Sequence, residues 1–343
     1  MLITSLLSLL VKSESIEDFP AYTNNGNWIC CSHWSNGYAV GTLLLSYHIQ
    51  NKPLPSIQNY LAHLTTHFKS PKFQDIGYLF QSSSALYDEL KSTKELSPIT
   101  KEAIDYLLNC INESGNLVVN WRSETCYGID QFSNSLLLGW AALRSGSNDI
   151  FRTYSRLIKN SIELFVHNRG TYEYVFDNYV INHNSGHKNH TWLRGHAWAV
   201  MGICYAIFIF STQSESTDDL YHCLERLLKP IESLLDQFGD LPCVFSNDGT
   251  SIVDLIDTSA TCCIATSLQF LSNRRLLSSK TMSDTLLRLY PIIERNVSKG
   301  TLFNVSYPPK IINTPGESSS WGCYFYLRYC IERKHEESRI DII

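Results

Sequence analysis

Two kinds of apolar segment alternate along this chain. One kind is apolar on all sides, is rich in small residues and follows a polar or aromatic cluster. It occurs six times, with onsets at Trp34, Asp75, Ile129, Thr191, Ile256 and Ser319. These onsets lie about 40 to 65 residues apart, a spacing typical of a helical hairpin repeat.

The other kind is amphipathic. Apolar residues recur there at i, i+3, i+4 and i+7, with Lys, Glu and Asp on the opposite face, as in a helix that covers a core. Ser97 with Pro98, and the polar run 216–219, are typical helix starts. The six amphipathic segments are 4–12, 54–68, 97–111, 148–165, 217–238 and 283–297.

This alternation predicts an all-α fold, the (α/α)6 barrel of six inner and six outer helices. The apolar set packs inside and the amphipathic set wraps around it. No linker interrupts the pattern, so we expect residues 1–343 to form a single catalytic barrel domain. Strand signals are sparse, and a short hairpin within a loop is predicted over 170–181.

The predicted ring implies one shared pocket. All inner helices of such a ring point the same way, so the polar clusters at their N-terminal ends converge on one mouth. Helix N-termini carry free N–H groups and a positive dipole, which favour an anionic ligand.

Composition and charge narrow the classes of partner. A net charge of -5 without a basic stripe gives no reason to expect nucleic acid.

No apolar run is expected to reach the roughly 18 residues of a membrane span, and the N-terminal segment is predicted to be a helix rather than a signal peptide. Eleven cysteines without a CxxC spacing indicate a reduced, cytoplasmic protein, which we expect to be a monomer or weak homodimer. The phosphate-binding glycine loops are missing too, and no cofactor is predicted.

Two aspartates are the candidate catalytic groups. Asp75 and Asp130 each stand at the mouth end of an apolar segment, where an aspartate commonly serves only as a helix N-cap. Two acids facing one pocket with aromatic walls such as Tyr78 have another use. Desolvation and mutual repulsion raise the pKa of one carboxyl, as a general acid requires.

Arg194 is the candidate holder of an anion. It lies within NHTWLRGHAWAV (189–200), between Trp192 and Trp198. An arginine at a helix start often only stacks on tryptophan, but its planar fork also suits a substrate carboxylate. Asp257 is expected to cap the fifth inner helix and to shape the pocket floor.

The histidines raise the alternative of a metal site. His183, His187, His190 and His196 cluster in sequence, which leaves a zinc enzyme as a third hypothesis. No cysteine accompanies them and their spacing matches no standard site, so we predict no metal.

At this point the motifs resemble those of a known family, the unsaturated glucuronyl hydrolases of glycoside hydrolase family 88, and more distantly family 105. The resemblance spans nearly the whole chain and opens with the segment after Trp34. Its further motifs are QDIGY (74–78), similar to Asp-(Ile/Leu)-Gly-Phe, GIDQ (128–131), TWLRGHAW (191–198), similar to Thr-Trp-x-Arg-Gly-Gln-Ala-Trp, DTSA (257–260) and SWGCY (320–324).

The resemblance implies roles for these positions. Asp130 matches the general acid/base, and Asp75 matches the acid that supports it. Positions implied or expected to contact the sugar are Trp192, Arg194, Trp198, Trp34, Tyr78, His196 and Ser318.

Other positions depart from the family pattern. His196 replaces a glutamine and Cys323 an aspartate, which we expect to alter substrate preference more than reaction. The glutamine upstream of the Thr-Trp motif falls at Asn184, so Asn184, His183 and Glu173 join the candidates.

The implied substrate is an unsaturated uronate-containing oligosaccharide left by a polysaccharide lyase. An acid protonates C4 of its C4=C5 vinyl ether, water adds at C5, and the hemiketal rearranges to release the sugar. A catalytically silent carbohydrate-binding or scaffold protein on the same barrel is the rival hypothesis.

Overall fold

The computed structural model describes residues 2–66, 75–92, 95–121, 124–176, 180–181, 189–246, 255–305 and 316–334. The predicted positions His183 and Asn184 lie outside these ranges. The chain forms the predicted (α/α)6 barrel. One set of helices surrounds the axis of the barrel, and the other set packs around it.

The inner set consists of α2 (Asn36–Ile49), α4 (Ile76–Phe80) continued through a π-helical turn (Gln81–Ala85) into α5 (Leu86–Leu90), α7 (Gln131–Ser145), α9 (Leu193–Thr212), α11 (Thr258–Asn273) and α13 (Ser320–Lys334). The outer set consists of α1 (Leu2–Val11), α3 (Gln58–Leu64), α6 (Pro98–Asn109), α8 (Asn148–Phe165), α10 (Asp218–Phe238) and α12 (Lys280–Arg295). Each of the twelve predicted segments therefore supplies a helix, and the inner and outer assignment is confirmed.

Burial explains why the two sets separate. In the inner helix α9 every residue from Leu193 to Ile207 is buried, whichever way it points. In the outer helix α8 the buried residues recur at Tyr154, Leu157, Ile158 and Ser161, a single stripe facing the ring. A helix without a polar face is stable only when neighbours cover it on all sides, which the ring provides.

Side-chain caps fix several outer-helix starts. Ser97 accepts a hydrogen bond from the N–H of Thr100 and is followed by Pro98 at the first helical position, as predicted. Ser147 and Ser279 cap α8 and α12 in the same way. α10 begins with Asp218 and Asp219 in its first turn, where acids favour the helix dipole.

Short strands lie in the connections. They are β1 (Pro20–Asn24), β2 (Asn27–Cys30), β3 (Val118–Trp121), β4 (Glu124–Gly128), β5 (Val166–His167), β6 (Gly170–Thr171), β7 (Tyr174–Val175), β8 (Val180–Ile181), β9 (His190–Trp192), β10 (Val244–Ser246), β11 (Val297–Ser298) and β12 (Thr301–Leu302). β7 and β8 form the predicted hairpin and extend β3 and β4 into a four-stranded sheet. β4 leads directly to the start of α7, and β9 leads into α9, so strands set the direction of two inner helices.

One helix corrects the expectation about apolar runs. Leu193–Thr212 is long and apolar enough to cross a membrane, contrary to what we read from the sequence. Its apolar window is 94% buried inside the barrel, however, which is the position of a core helix.

Candidate active site

Aromatic side chains from four inner helices or their entry segments meet at one end of the ring. The ring centroid of Trp34, just ahead of α2, lies 5.9 Å from that of Tyr78 on α4 and 5.0 Å from that of Trp321 on α13. On the α9 side, the centroid of Trp198 lies 6.0 Å from that of Trp34 and 5.1 Å from that of Trp192. We call these five residues the aromatic cluster. The structure thus brings together predicted positions that are up to 164 residues apart, from Trp34 to Trp198.

Arg194 lies inside the aromatic cluster. Its guanidinium carbon is 5.0 Å from the ring centroid of Trp192 and 4.9 Å from that of Trp321, and only 2% of the residue is exposed. Nη1 of Arg194 lies 3.8 Å from Oδ2 of Asp257, which is fully buried. The charge is therefore held by stacking and by a buried carboxylate at the start of α11.

Three aspartates occupy N-cap positions of inner helices, and they are used differently. Asp257 accepts hydrogen bonds from the backbone N–H groups of Ser259 and Ala260, so it caps α11 as expected. Neither Asp75 nor Asp130 makes a side-chain cap bond to its own helix. Their carboxyl groups are therefore available for something other than helix capping.

Asp75 and Asp130 form an electrostatically coupled pair. Desolvation by burial, and then the charge of Asp130, raise the pKa of Asp75 well above its usual range. Burial raises the pKa of Asp130 to about 6, opposed by a hydrogen bond from Tyr78 and by the charge of Arg194. We expect such a pair to retain a proton at neutral pH, which is the state a general acid needs.

Asp130 has a direct hydrogen-bonding partner on the neighbouring helix. The hydroxyl of Tyr78 donates to Oδ1 of Asp130 over 2.7 Å, and both residues are buried. The sequence placed Tyr78 on the pocket wall, but the structure places its hydroxyl on the candidate acid.

Tyr174 is a site residue that the sequence reasoning missed. On β7 it pairs with Gly128 of β4, and a Cβ atom built on Gly128 would lie 3.1 Å from Oδ2 of Asp130 and 3.4 Å from a ring carbon of Tyr174. The missing side chain at 128 leaves the space in which these two groups approach each other. Next to it, the carbonyl of Glu173 accepts from the N–H of Ile129, so Glu173 borders the site through its backbone.

An electrostatically coupled acid pair beside aromatic rings suits acid–base chemistry on a sugar, and comparison with known proteins agrees. The sequence model of Glycosyl Hydrolase Family 88 matches residues 12–308. The chain belongs to this family. It is accordingly a glycoside hydrolase.

Solved structures of family 88 and family 105 proteins share the fold. The unsaturated glucuronyl hydrolase responsible for the degradation of glycosaminoglycan from Bacillus sp. GL1 is 18% identical, with a TM-score of 0.77 and 98% of each chain covered. That from Streptococcus agalactiae is 16% identical, with a TM-score of 0.76 over 98% of this chain and 91% of the other. A possible family 105 member from Salmonella enterica serovar Paratyphi A is 14% identical, with a TM-score of 0.70 over 98% of this chain and 93% of the other. Comparison with curated proteins gives no significant match.

His196, where the chain departs from the family 88 motif, does not face the sugar pocket. It is fully buried, and its Nε2 lies 2.8 Å from the carbonyl oxygen of Leu227 on the outer helix α10. Its ring packs edge-on against Phe245, and burial lowers its pKa to about 4. The expected sugar contact is corrected: His196 is a neutral group that joins the two helix layers.

Ser318 is also corrected. Its backbone N–H donates to Oγ1 of Thr23 over 2.8 Å, and its carbonyl accepts from the N–H of Thr23 over 2.9 Å. Ser318 is only 2% exposed, and its hydroxyl lies 3.7 Å from Sγ of Cys323. This serine fastens β1 to the entry of α13 and closes the ring, rather than presenting its hydroxyl to a sugar.

The last predictions to compare with the structure concern Asn184 and the histidines proposed as sugar contacts or metal ligands. His183 and Asn184 lie outside the described residues, and so does His187 of the histidine cluster. Within the part of the chain that the structure describes, no group of three or more His, Cys, Asp or Glu residues is arranged to hold a metal ion.

Proposed function

We propose that this enzyme hydrates the C4=C5 double bond of an unsaturated uronyl residue at the non-reducing end of lyase-generated oligosaccharides. The observation that carries the proposal is the acid pair. Asp75 and Asp130 stand at neighbouring inner-helix N-termini and cap neither helix, and both act on Tyr78 of the aromatic cluster, Asp130 through a hydrogen bond and Asp75 through its charge.

Asp130 is the general acid and base of the proposed reaction. Its proton passes to C4 while the C4=C5 electron pair forms the new C–H bond, and the positive charge at C5 is shared with the ring oxygen. Water then adds to C5 and returns a proton to the Asp130 carboxylate. The hemiketal formed at C5 then opens by breaking the C5–O5 ring bond, which gives a ketone at C5 and a hemiacetal at C1. That hemiacetal breaks down to an aldehyde at C1, which cleaves the glycosidic bond and releases the rest of the sugar as an alcohol.

Asp75 supports this cycle through its charge coupling to Asp130. A proton held on either carboxyl weakens the repulsion on the other, so the loss of one proton from the pair raises the pKa of the carboxyl that keeps its proton. The cost of desolvating both groups keeps that proton from being lost to solvent.

The pocket wall suits an anionic sugar ring. Trp34, Trp192 and Trp198 offer ring faces and edges to its carbon skeleton. Arg194 and the converging helix N-termini supply the positive potential that its C5 carboxylate requires.

The remaining expectations form part of the proposal. We propose that residues 1–343 act as one catalytic domain, without a cofactor and without a nucleic-acid or membrane partner, as a monomer or weak homodimer in the cytoplasm. None of the eleven cysteines forms a disulfide within the residues that the structure describes, and five of them lie within inner helices, which suits a reducing compartment.

The test is an absorbance assay with unsaturated disaccharides from chondroitin, hyaluronan, heparin and rhamnogalacturonan. Loss of the conjugated-enoate absorbance with wild-type enzyme, and not with Asp130→Asn, supports the proposal. The silent-protein rival predicts binding of a disaccharide, measured by calorimetry, without any change in absorbance. Full activity of Asp130→Asn would remove Asp130 from the mechanism.

A further inference from the structure

We propose that Tyr78 is a positioning residue, whose hydroxyl holds Oδ1 of Asp130 and reserves Oδ2 for proton transfer to and from the substrate. This inference rests on the proposed function. The two oxygens of a free carboxyl group are equivalent, and in this inference Tyr78 determines which of those of Asp130 exchanges a proton with the substrate.

Packing fixes the hydroxyl of Tyr78 in place. The residue is only 2% exposed, and its ring centroid lies 5.2 Å from that of Trp198 and 5.9 Å from that of Trp34. A π-helical turn follows directly at Gln81–Ala85, and there the hydroxyl of Ser82 donates to the carbonyl of Tyr78 over 2.6 Å. A buried ring held on two sides cannot swing away from its acceptor without repacking the mouth.

The second oxygen of Asp130 faces a different neighbour. A Cβ atom at Gly128 would lie 3.1 Å from Oδ2, and a ring carbon of Tyr174 borders the same space. Oδ1 therefore points to α4, and Oδ2 points to the end of β4, where no side chain intervenes. One oxygen of the carboxyl therefore accepts a hydrogen bond from Tyr78, and the other lies beside Gly128 and the ring of Tyr174.

The protonation state of Tyr78 fixes the direction of its hydrogen bond to Asp130, with Tyr78 as the donor. Burial, and then the charges of Asp130 and Asp75, raise the pKa of Tyr78 well above that of a free phenol, so it remains a donor. The carbonyl oxygen of a protonated carboxyl is a better acceptor than its hydroxyl oxygen, so the O–H donated to Oδ1 favours the acid proton on Oδ2. When Oδ2 gives its proton to C4, the Tyr78 bond strengthens because its acceptor has become a carboxylate.

The hydroxyl is a departure from the motif that 74–78 resembles, which ends in phenylalanine. Tyr78→Phe therefore removes only the proposed interaction and leaves a ring of the same shape. Tyr38→Phe is the matched control. Tyr38 is also buried on an inner helix, with its ring centroid 6.4 Å from that of Tyr78, and no hydrogen bond joins it to Asp130.

The first measurement needs no substrate. Carbon-13 NMR of labelled aspartate follows the titration of Asp130, with the signal assigned by its loss in Asp130→Asn. We expect Tyr78→Phe to raise the midpoint by about one pH unit, because a bond that favours the ionised form is gone. Tyr38→Phe should titrate as the wild type does.

The second measurement is the pH profile of turnover. In Tyr78→Phe we expect the alkaline limb of kcat to move up with the NMR midpoint and kcat to fall about tenfold, while KM stays within about twofold. If Tyr78 had a merely structural role, Tyr78→Phe would lower kcat but would move neither the NMR midpoint nor the alkaline limb of the pH profile. Thermal unfolding of both variants checks that they fold.

The outcomes separate the two proposals. An unchanged midpoint and an unchanged pH profile in Tyr78→Phe would overturn the positioning role. If the wild-type enzyme consumes no unsaturated disaccharide, the proposed function fails. In that case the NMR titration still reports whether Tyr78 engages Asp130.

Discussion

The backbone N–H of Gly77 donates to Oδ1 of Asn134 over 2.7 Å, which joins the helices that carry the two acids. Nδ2 of Asn134 in turn donates to the carbonyl of Asp130 over 3.0 Å. A Cβ atom at position 77 would lie only 2.3 Å from the Cα of Asn134. Because Asp75 is two residues before Gly77, this contact sets how closely the two carboxyl groups approach.

Gly77→Ala should therefore separate the acids. The added methyl group meets backbone atoms that cannot rotate aside, so α4 and α7 must move apart, at a cost of about 1–3 kcal/mol. We expect a lower melting temperature and at least a tenfold loss of turnover.

Asn134→Ala should act in the same direction by removing both bonds. Asn160→Ala is its control, since Asn160 donates from an outer helix to the carbonyl of Ser114. If Gly77→Ala melts and turns over like the wild type, the contact does not determine the geometry of the acids.

Asp130→Asn should be more stable than the wild type at neutral pH, although inactive. Folding raises the pKa of Asp130 from 3.8 to about 6, so between these values the folded state binds more protons than the unfolded chain. Stability then falls as pH rises through that window, by about 3 kcal/mol at pH 7.

An asparagine at position 130 carries no charge to desolvate, so that loss should disappear. The measurement is the free energy of unfolding in urea at pH 4 and pH 7. Asp149→Asn, at an exposed position of α8, is the control and should differ from the wild type by only a few tenths of a kcal/mol. Equal pH dependence in wild type and Asp130→Asn would contradict the prediction.

The sequence predicted the barrel because its decisive signals are local. Each inner helix is apolar on every face and each outer helix on one, and that difference can be counted along the chain.

The side of α9 on which His196 lies could also be predicted, from the spacing of residues along a helix. Arg194 and Trp198 are four residues apart and share a helix face, whereas His196, two residues from each, points to the opposite side.

Other features depend on contacts between distant segments. Asp75, Asp130 and Asp257 all stand at helix starts, and only the folded chain shows that Asp257 caps its helix while the other two do not. Tyr174 reaches the site because β7 pairs with β4 in one particular register. No local pattern specifies that register.

Asp257→Asn should destabilise the protein by removing a charge rather than a cap. Asparagine caps helices about as well as aspartate, but it leaves the buried guanidinium of Arg194 without its carboxylate neighbour. Removing one partner of a buried ion pair typically costs about 3 kcal/mol or more.

Ser147→Ala provides the comparison, because it removes a helix cap and no charge, at a cost of about 1 kcal/mol. Urea unfolding of both variants at pH 7 separates the two contributions. A loss in Asp257→Asn no larger than that in Ser147→Ala would show that Arg194 is held without the charge of Asp257.

His196→Gln should change the acid stability of the enzyme and leave its choice of sugar unchanged. Burial lowers the pKa of His196 from 6.5 to about 4, so between these values the unfolded chain binds a proton that the folded protein does not. The contribution of neutral His196 to the free energy of unfolding is therefore fully present above pH 6.5. It falls as pH drops toward 4, by about 3 kcal/mol in total.

Glutamine does not titrate, and its amide can donate to the carbonyl of Leu227 as the imidazole nitrogen does. We expect the free energy of unfolding of His196→Gln to be nearly flat in this range, apart from the contributions of the acids. His222→Gln, at an exposed position of α10, should keep the wild-type pH dependence.

The relative rates on the four unsaturated disaccharides should be the same in all three proteins, because His196 faces the outer helix. A changed order of preference in His196→Gln would mean that this position acts on the pocket through the barrel wall.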